Sequence, residues 1–195
     1  MANLQLGNKT VVTQTGSAEP VLTSNVNLNS ATFPAGHVKN IYFSSGRYNA
    51  SSGEQTLTND TETRVSNVLS IAVTSGYKYF FIFNVPTIAI GGNVNSQSNK
   101  SIRFYIRKIT SNSVADGSSL ASQTLIHATA QTTFYINTNW NGPTWTGAVC
   151  GIYTATSTET NYFCGSAMTG ESGTENGFLV PTDINAMLIC QEIYQ

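Results

Sequence analysis

Polar and apolar residues alternate along much of this chain, and a period of two marks strands. In residues 101–109, Ile102, Phe104 and Ile106 fall on one side and Arg103, Tyr105 and Arg107 on the other. This pattern predicts an antiparallel strand with one face in a core. Residues 77–85 behave differently. Tyr77, Tyr79, Phe81, Phe83 and Val85 alternate, but Phe80 and Ile82 fill the opposite phase. A strand apolar on both faces belongs either at the centre of a sheet or at a subunit contact. Further strands are predicted over 38–43, 64–73, 123–129, 132–138, 148–155, 161–167 and 185–194. Turns such as Ser75-Gly76, Gly91-Gly92, Asp116-Gly117 and Gly170-Glu171-Ser172-Gly173 separate them, where positive φ is cheap or side chains bond the turn locally.

No amphipathic helix is predicted, and no internal repeat points to a propeller or solenoid. The expected class is therefore all-β, an antiparallel β-sandwich of the jelly-roll kind built from about eight or nine short strands. Residues 1–34 differ in character. Thr10-Val11-Val12-Thr13-Gln14 and Pro20-Val21-Leu22-Thr23 are strand-like pieces around Gly16-Ser17-Ala18-Glu19, with too few large apolar residues for a core of their own. They are expected to form a short extended N-terminal docking arm, ordered by a partner, ahead of a domain at 35–195. The plainer alternative is that they add edge strands to that domain.

Composition narrows the function. Of 195 residues, 40% are hydrophobic and only 10% charged, with Ser, Thr and Asn filling the polar positions. That hydrophobic content argues against disorder. Nine Lys+Arg against ten Asp+Glu give a net charge of −1 without a basic cluster, which argues against nucleic-acid binding. The densest apolar run, Tyr79-Phe80-Phe81-Ile82-Phe83, is stopped by Asn84 and Pro86, far short of the roughly 20 residues of a membrane span. No membrane insertion is expected. The N-terminus lacks a basic segment followed by an apolar one, so no secretory signal is expected. Cys150, Cys164 and Cys190 have no C-x-x-C spacing and are expected as buried reduced thiols, with a Cys150–Cys164 bridge as the alternative.

The search for chemistry finds little. His37 and His127 lie in no catalytic motif, and each is expected to be a hydrogen-bonded structural residue. G-x-S-x-G, P-loop, H-E-x-x-H, dinucleotide and calcium-loop patterns are absent, and the scattered acids make no obvious glycosidase pair. No catalytic residue, metal site or cofactor is expected. The sequons at Asn8, Asn49, Asn59 and Asn99 occur at chance frequency for so Ser/Thr-rich a chain. The most unusual segment is Trp140-Asn141-Gly142-Pro143-Thr144-Trp145, with both tryptophans flanking a Gly-Pro turn. Trp140, Asn141 and Trp145 suit a glycan contact, rings stacking on sugar faces while the amide bonds hydroxyls, or alternatively plain packing at the sandwich end.

A family resemblance joins these features. Phe33-Pro34-Ala35-Gly36-His37-Val38 resembles the opening of a domain found in structural proteins of tailed bacteriophages. Residues 65–75 followed by an aromatic strand, the Arg-bearing strand 101–107 and the closing strand 186–193 are similar to that domain's successive strands in order and spacing. The resemblance implies a tumour necrosis factor-like jelly roll, usually trimeric, forming the head of a fibre or a virion decoration. It carries no active-site residues and implies a non-enzymatic protein located on the virion. Only residues 1–34 precede the domain and no heptad segment occurs, so a short tail appendage or capsid decoration is expected rather than a long fibre. The partners expected are two further copies, other virion proteins through the arm, and a host-surface glycan. Tyr77, Tyr79, Phe81 and Phe83 are the expected trimer contact. The alternative function is a soluble carbohydrate-binding module or lectin centred on the tryptophans.

Overall fold

The computed structural model describes residues 2–6, 9–17, 21–22, 35–46, 55–57, 59–90, 93–94, 98–130, 132–136, 140–141, 144–171, 178–180 and 185–193. The chain divides into two compact units, Met1–Pro34 and Ala35–Gln195. In the first, β1 (Ala2–Leu6), β2 (Lys9–Gln14) and β3 (Val21–Leu22) pair antiparallel in that order. A bulge falls between Leu4 and Gln5. This unit is a three-stranded meander: β2 and β3 fall on the two strand-like pieces, and residues 2–6, unremarkable in hydrophobic pattern, add a strand that pairs along β2.

The second unit runs β4 (Val38–Ser45), β5 (Gln55–Thr56), β6 (Thr63–Arg64), β7 (Leu69–Val73), β8 (Lys78–Ile90), β9 (Asn93–Val94) and β10 (Ser98–Ile109). A single helical turn, α1 (Ser118–Ala121), follows, then β11 (Thr124–Ala128), β12 (Thr132–Ile136), β13 (Trp140–Asn141), β14 (Thr144–Thr154), β15 (Glu159–Glu171), β16 (Phe178–Val180) and β17 (Met187–Ile193). The class is all-β with antiparallel sheets, a sandwich. One sheet is ordered β4-β17-β8-β14, with β16 and β5 continuing beside the far end of β8. The other centres on β10 and β15. Along β10 run β12 and then β11, and along β15 run β6 and β7.

The two-faced strand at 77–85 lies at a sheet centre, as β8, flanked by β17 and β14. It continues past Pro86 to Ile90. Proline offers no N–H to the ladder, and the β8–β14 register shifts at that point, between Trp145 and Gly147. Residues 64–73, expected as one strand, form two, because residues 65–68 turn across β15: Val65 and Ser66 both donate to the Gly165 carbonyl.

Between the sheets, Tyr79, Phe81, Phe83 and Val85 of β8 meet Phe104 and Ile106 of β10 and Phe163 of β15. Phe81 and Phe163 lie tilted against each other at 4.6 Å between ring centroids, and Phe83 meets Phe104 edge-on at 6.3 Å. Two glycines make this approach feasible. A Cβ at Gly165 would overlap the Phe83 ring, and one at Gly147 the Phe104 ring. Each ring thus seats on a glycine of the opposite sheet. Burying each such aromatic contributes about 1.5–3 kcal/mol.

The outer side of the second sheet is covered in turn. Arg107 grips the Glu62 carboxylate with Nε at 2.9 Å and a terminal nitrogen at 2.6 Å, and Ser166 donates to the same carboxylate. Arg64, fully buried, donates to the Asn112 carbonyl, while its own N–H is accepted by Asp116. Beside this network Ile109, Leu120 and Cys164 form a small second core. Among the described residues, no helix is long and apolar enough to cross a membrane.

Replacing Gly165 with Ala is expected to lower unfolding stability by about 1–3 kcal/mol, the range for overpacking a filled core. Urea denaturation followed by circular dichroism checks this. An unchanged midpoint would mean that the ring does not rest on the glycine.

Candidate functional site

Because β8 turns Tyr79, Phe81 and Phe83 inward, its other phase must face out. Those three side chains are 0% exposed within the single chain. They cannot touch another copy in the folded state, which corrects the expectation of a trimer contact there. Tyr77, the remaining member, is partly buried and packs against the same core, with the Lys39 ammonium 5.0 Å from its ring centroid.

The outward face is the unusual surface. Strand registers align its residues in rows across β14, β8, β17 and β4. One row reads Ile152, Phe80, Gln191, Ile41, and the next Cys150, Ile82, Ile189, Phe43. Ala148, Asn84, Met187 and Ser45 follow on one side, and Thr154, Lys78, Ile193 and Val38 on the other. In the two central rows Gln191 is the only polar side chain, and the grid's single charge, Lys78, stands in an outer row. Phe43 is 71% exposed, Ile41 63% and Ile152 58%. With strands about 4.8 Å apart and same-face residues about 6.8 Å apart, the two central rows span about 260 Å². An exposed apolar patch of a few hundred Å² is a candidate interaction surface. Sequence reasoning noticed Phe80 and Ile82 but named no surface built from them. Ile41, Phe43 and Ile152 were legible only as members of separate strands.

The end of the sandwich where β8 begins is polar. Glu192, 2% exposed, accepts from Lys39 at 3.2 Å, Asn40 at 2.5 Å and Tyr42 at 3.1 Å. Burial, reinforced by the Glu192 charge, pushes the Tyr42 phenol up to about 12. Burial also raises Tyr79, although the Thr74 N–H donates to its oxygen at 2.8 Å. On the facing strands, Lys108 lies 3.2 Å from the Tyr153 hydroxyl and 3.3 Å from Glu159. Burial opposes the Lys108 charge, but these two partners hold the ammonium above its ordinary range. Glu159 is lowered, first by Ser157 and then by Lys108.

The remaining expected residues are scattered. Trp140 and Asn141 lie on β13, in register with Val94 and Asn93, and Trp145 lies on β14 opposite Ile88. Trp145 stands towards the other end of β8, and the side chains of all three fall outside the described residues. All three cysteines are free. Cys164 and Cys190 are buried as expected, whereas Cys150 is exposed on the apolar face, because its phase on β14 is the outward one. The bridge between Cys150 and Cys164 does not form. His37 and His127 are both exposed. Among the described residues no group of three His, Cys, Asp or Glu is placed to hold a metal ion.

Burial raises both Cys164 and Cys190 from 9.0 to about 12, and Tyr42 from 10.0 to about 12. An acid whose pKa is higher folded than unfolded stabilises fully below the unfolded value and loses that contribution as pH climbs to the folded one. Urea midpoints should therefore hold level up to about pH 9 and fall steadily towards pH 12, with the Tyr42→Phe variant falling less steeply above pH 10. A level profile through pH 12 would contradict these burials.

No protein-family model matches this chain and no curated protein matches it in sequence, so its function is argued from this geometry.

Proposed function

We propose that this chain is a non-enzymatic structural protein of a tailed-bacteriophage virion. It is a jelly-roll module that assembles as a homotrimer through the outward face of β4-β17-β8-β14. Its N-terminal unit docks it onto other virion proteins of the tail or capsid. The observation that carries the reading is the apolar grid, in which Phe43, Ile41 and Ile152 stand exposed around Phe80, Ile82 and Ile189. A monomer would leave that surface in water at a cost of about 25 cal/mol for each Å². A second copy offers the same surface, nearly uncharged, so pairing copies buries apolar area without stranding ion partners.

The sheet orders β4-β17-β8-β14 and β7-β15-β10-β11 support the jelly-roll part of the reading, since two four-stranded sheets exchanging successive strands are what paired Greek keys generate. Three-fold symmetry and the virion setting rest on the resemblance of residues 33–38, 65–75, 101–107 and 186–193 to the phage domain. A Ser, Thr and Asn surface with few charges suits a particle protein, because screened surface ion pairs contribute little in salt.

Sedimentation equilibrium at micromolar concentration should give three times 20.9 kDa for the full chain and 20.9 kDa for the Ile82→Asp variant, with unchanged circular dichroism. In parallel, Cys150 should be labelled rapidly by a thiol reagent in the variant and slowly in the assembled protein. A monomeric parent protein, or an Asp variant that stays associated, sinks the self-association reading.

The docking role is tested separately. Deleting Met1–Pro34 should leave the second unit folded and abolish its incorporation into particles. A truncated protein that still incorporates refutes it.

A further inference from the structure

One side chain on the outward face of β8 is out of keeping with its surroundings. Asn84 follows Phe80 and Ile82 in the outward phase, and asparagine is among the residues depleted from strands. Ala148 of β14 and Met187 of β17 stand directly across from it. Along β8 its same-face neighbours are Ile82 and Pro86. Four apolar groups therefore surround one amide. Its Oδ1 is closed to water and accepts no hydrogen bond, and among the described residues its Nδ2 has no partner either.

A covered carbonyl oxygen without a donor gives up the hydration it has in the unfolded chain and receives nothing for it. A valine at this position would suit a half-buried strand and leave no polar atom stranded. Within the single chain the amide is a net loss, so whatever satisfies it comes from outside. The surroundings restrict what that is. The one charge of this face, Lys78, stands in the row at its opposite edge, so an ionic partner beside Asn84 would be desolvated without a counter-charge. A primary amide offers both donors and an acceptor, and the group that matches it on both counts is another amide. Where identical copies close about an axis, equivalent side chains meet there, and each copy brings its own Asn84.

We propose that Asn84 lies at the three-fold axis of the assembled face and fixes its register, the three amides bonding head to tail with each Nδ2–H donating to the Oδ1 of the next copy. This rests on the assembly reading and specifies it. Because Oδ1 is covered in the single chain, the side chain turns outward as the copies meet. Apolar rows alone tolerate sliding of one copy against another. Sliding here breaks the ring and leaves amides buried in an apolar contact without partners. A single polar residue in such a contact gives up some tightness and selects one arrangement.

Sedimentation equilibrium of the full chain at micromolar concentration, with circular dichroism to confirm folding, tests this on two variants. Asn84→Val should associate at least as tightly as the parent yet lose its single arrangement, giving more than one copy number or more than one set of backbone amide resonances. Asn84→Asp should associate at least about a hundredfold more weakly at pH 7, where three carboxylates face one another. It should regain at least about tenfold near pH 4, relative to the parent, because protonated carboxyls donate and accept as the amide does. An Asp variant that associates like the parent at pH 7 places Asn84 away from the axis and overturns the proposal. So does a Val variant that keeps one copy number and one set of resonances. Either result beside a three-copy parent leaves the assembly reading standing, whereas a monomeric parent sinks both.

Discussion

Two aromatic rings, each resting on a glycine of the opposite sheet, set the geometry on which the rest of this domain depends. Phe83 reaches across to Gly165 and Phe104 to Gly147, leaving no space for even one added carbon at either place. The contacts lock the phase of β8, β10, β14 and β15 together, because a slip of one residue would exchange every inner side chain for an outer one. Once Phe83 is inside, Tyr79 and Phe81 must be inside as well, and Phe80 and Ile82 must be outside. The apolar grid is the direct consequence of that choice.

The same phase locking explains where the charges went. With only nineteen acidic and basic residues in the chain, the structure still commits Glu62, Arg64, Arg107 and Glu192 to the interior. Glu62 and Arg107 staple the covering segments to the second sheet, and breaking such a pair leaves an uncompensated charge that costs about 3–5 kcal/mol. Glu192 gathers Lys39, Asn40 and Tyr42 at the end of the first sheet. Among the described residues, Asp60, Lys78, Asp116 and Glu159 stay exposed, and the outward face of β4-β17-β8-β14 carries only Lys78.

Much of the β architecture was legible in the residues. The alternation in 101–109 placed Ile102, Phe104 and Ile106 in the core, and they are there. The double phase of 77–85 pointed to a sheet centre or a subunit contact, and β8 is central in its sheet. The short strands β5, β9, β13 and β16 were not legible, since two or three residues carry no period. Neither was the pairing of Ala2–Leu6 along β2. The cluster of Lys108, Tyr153 and Glu159 was invisible for another reason: its members lie on three strands, Lys108 and Glu159 being 51 residues apart, and nothing local distinguishes them from surface polar positions.

The sequence by itself determined that this chain would be strands, which strands carried apolar residues on both sides, and that residues 1–34 would stand apart in character from 35–195. Those properties are local, set by the side-chain period and by composition over short windows. Hydrophobicity favours the phase of Tyr77, Tyr79, Phe81, Phe83 and Val85 as core, since the other carries Lys78 and Asn84 beside Phe80 and Ile82. Only the tertiary structure decided what the core rings rest on. Gly147 and Gly165 leave room for Phe104 and Phe83 arriving from the facing sheet, and that complementarity exists only once the sheets are stacked.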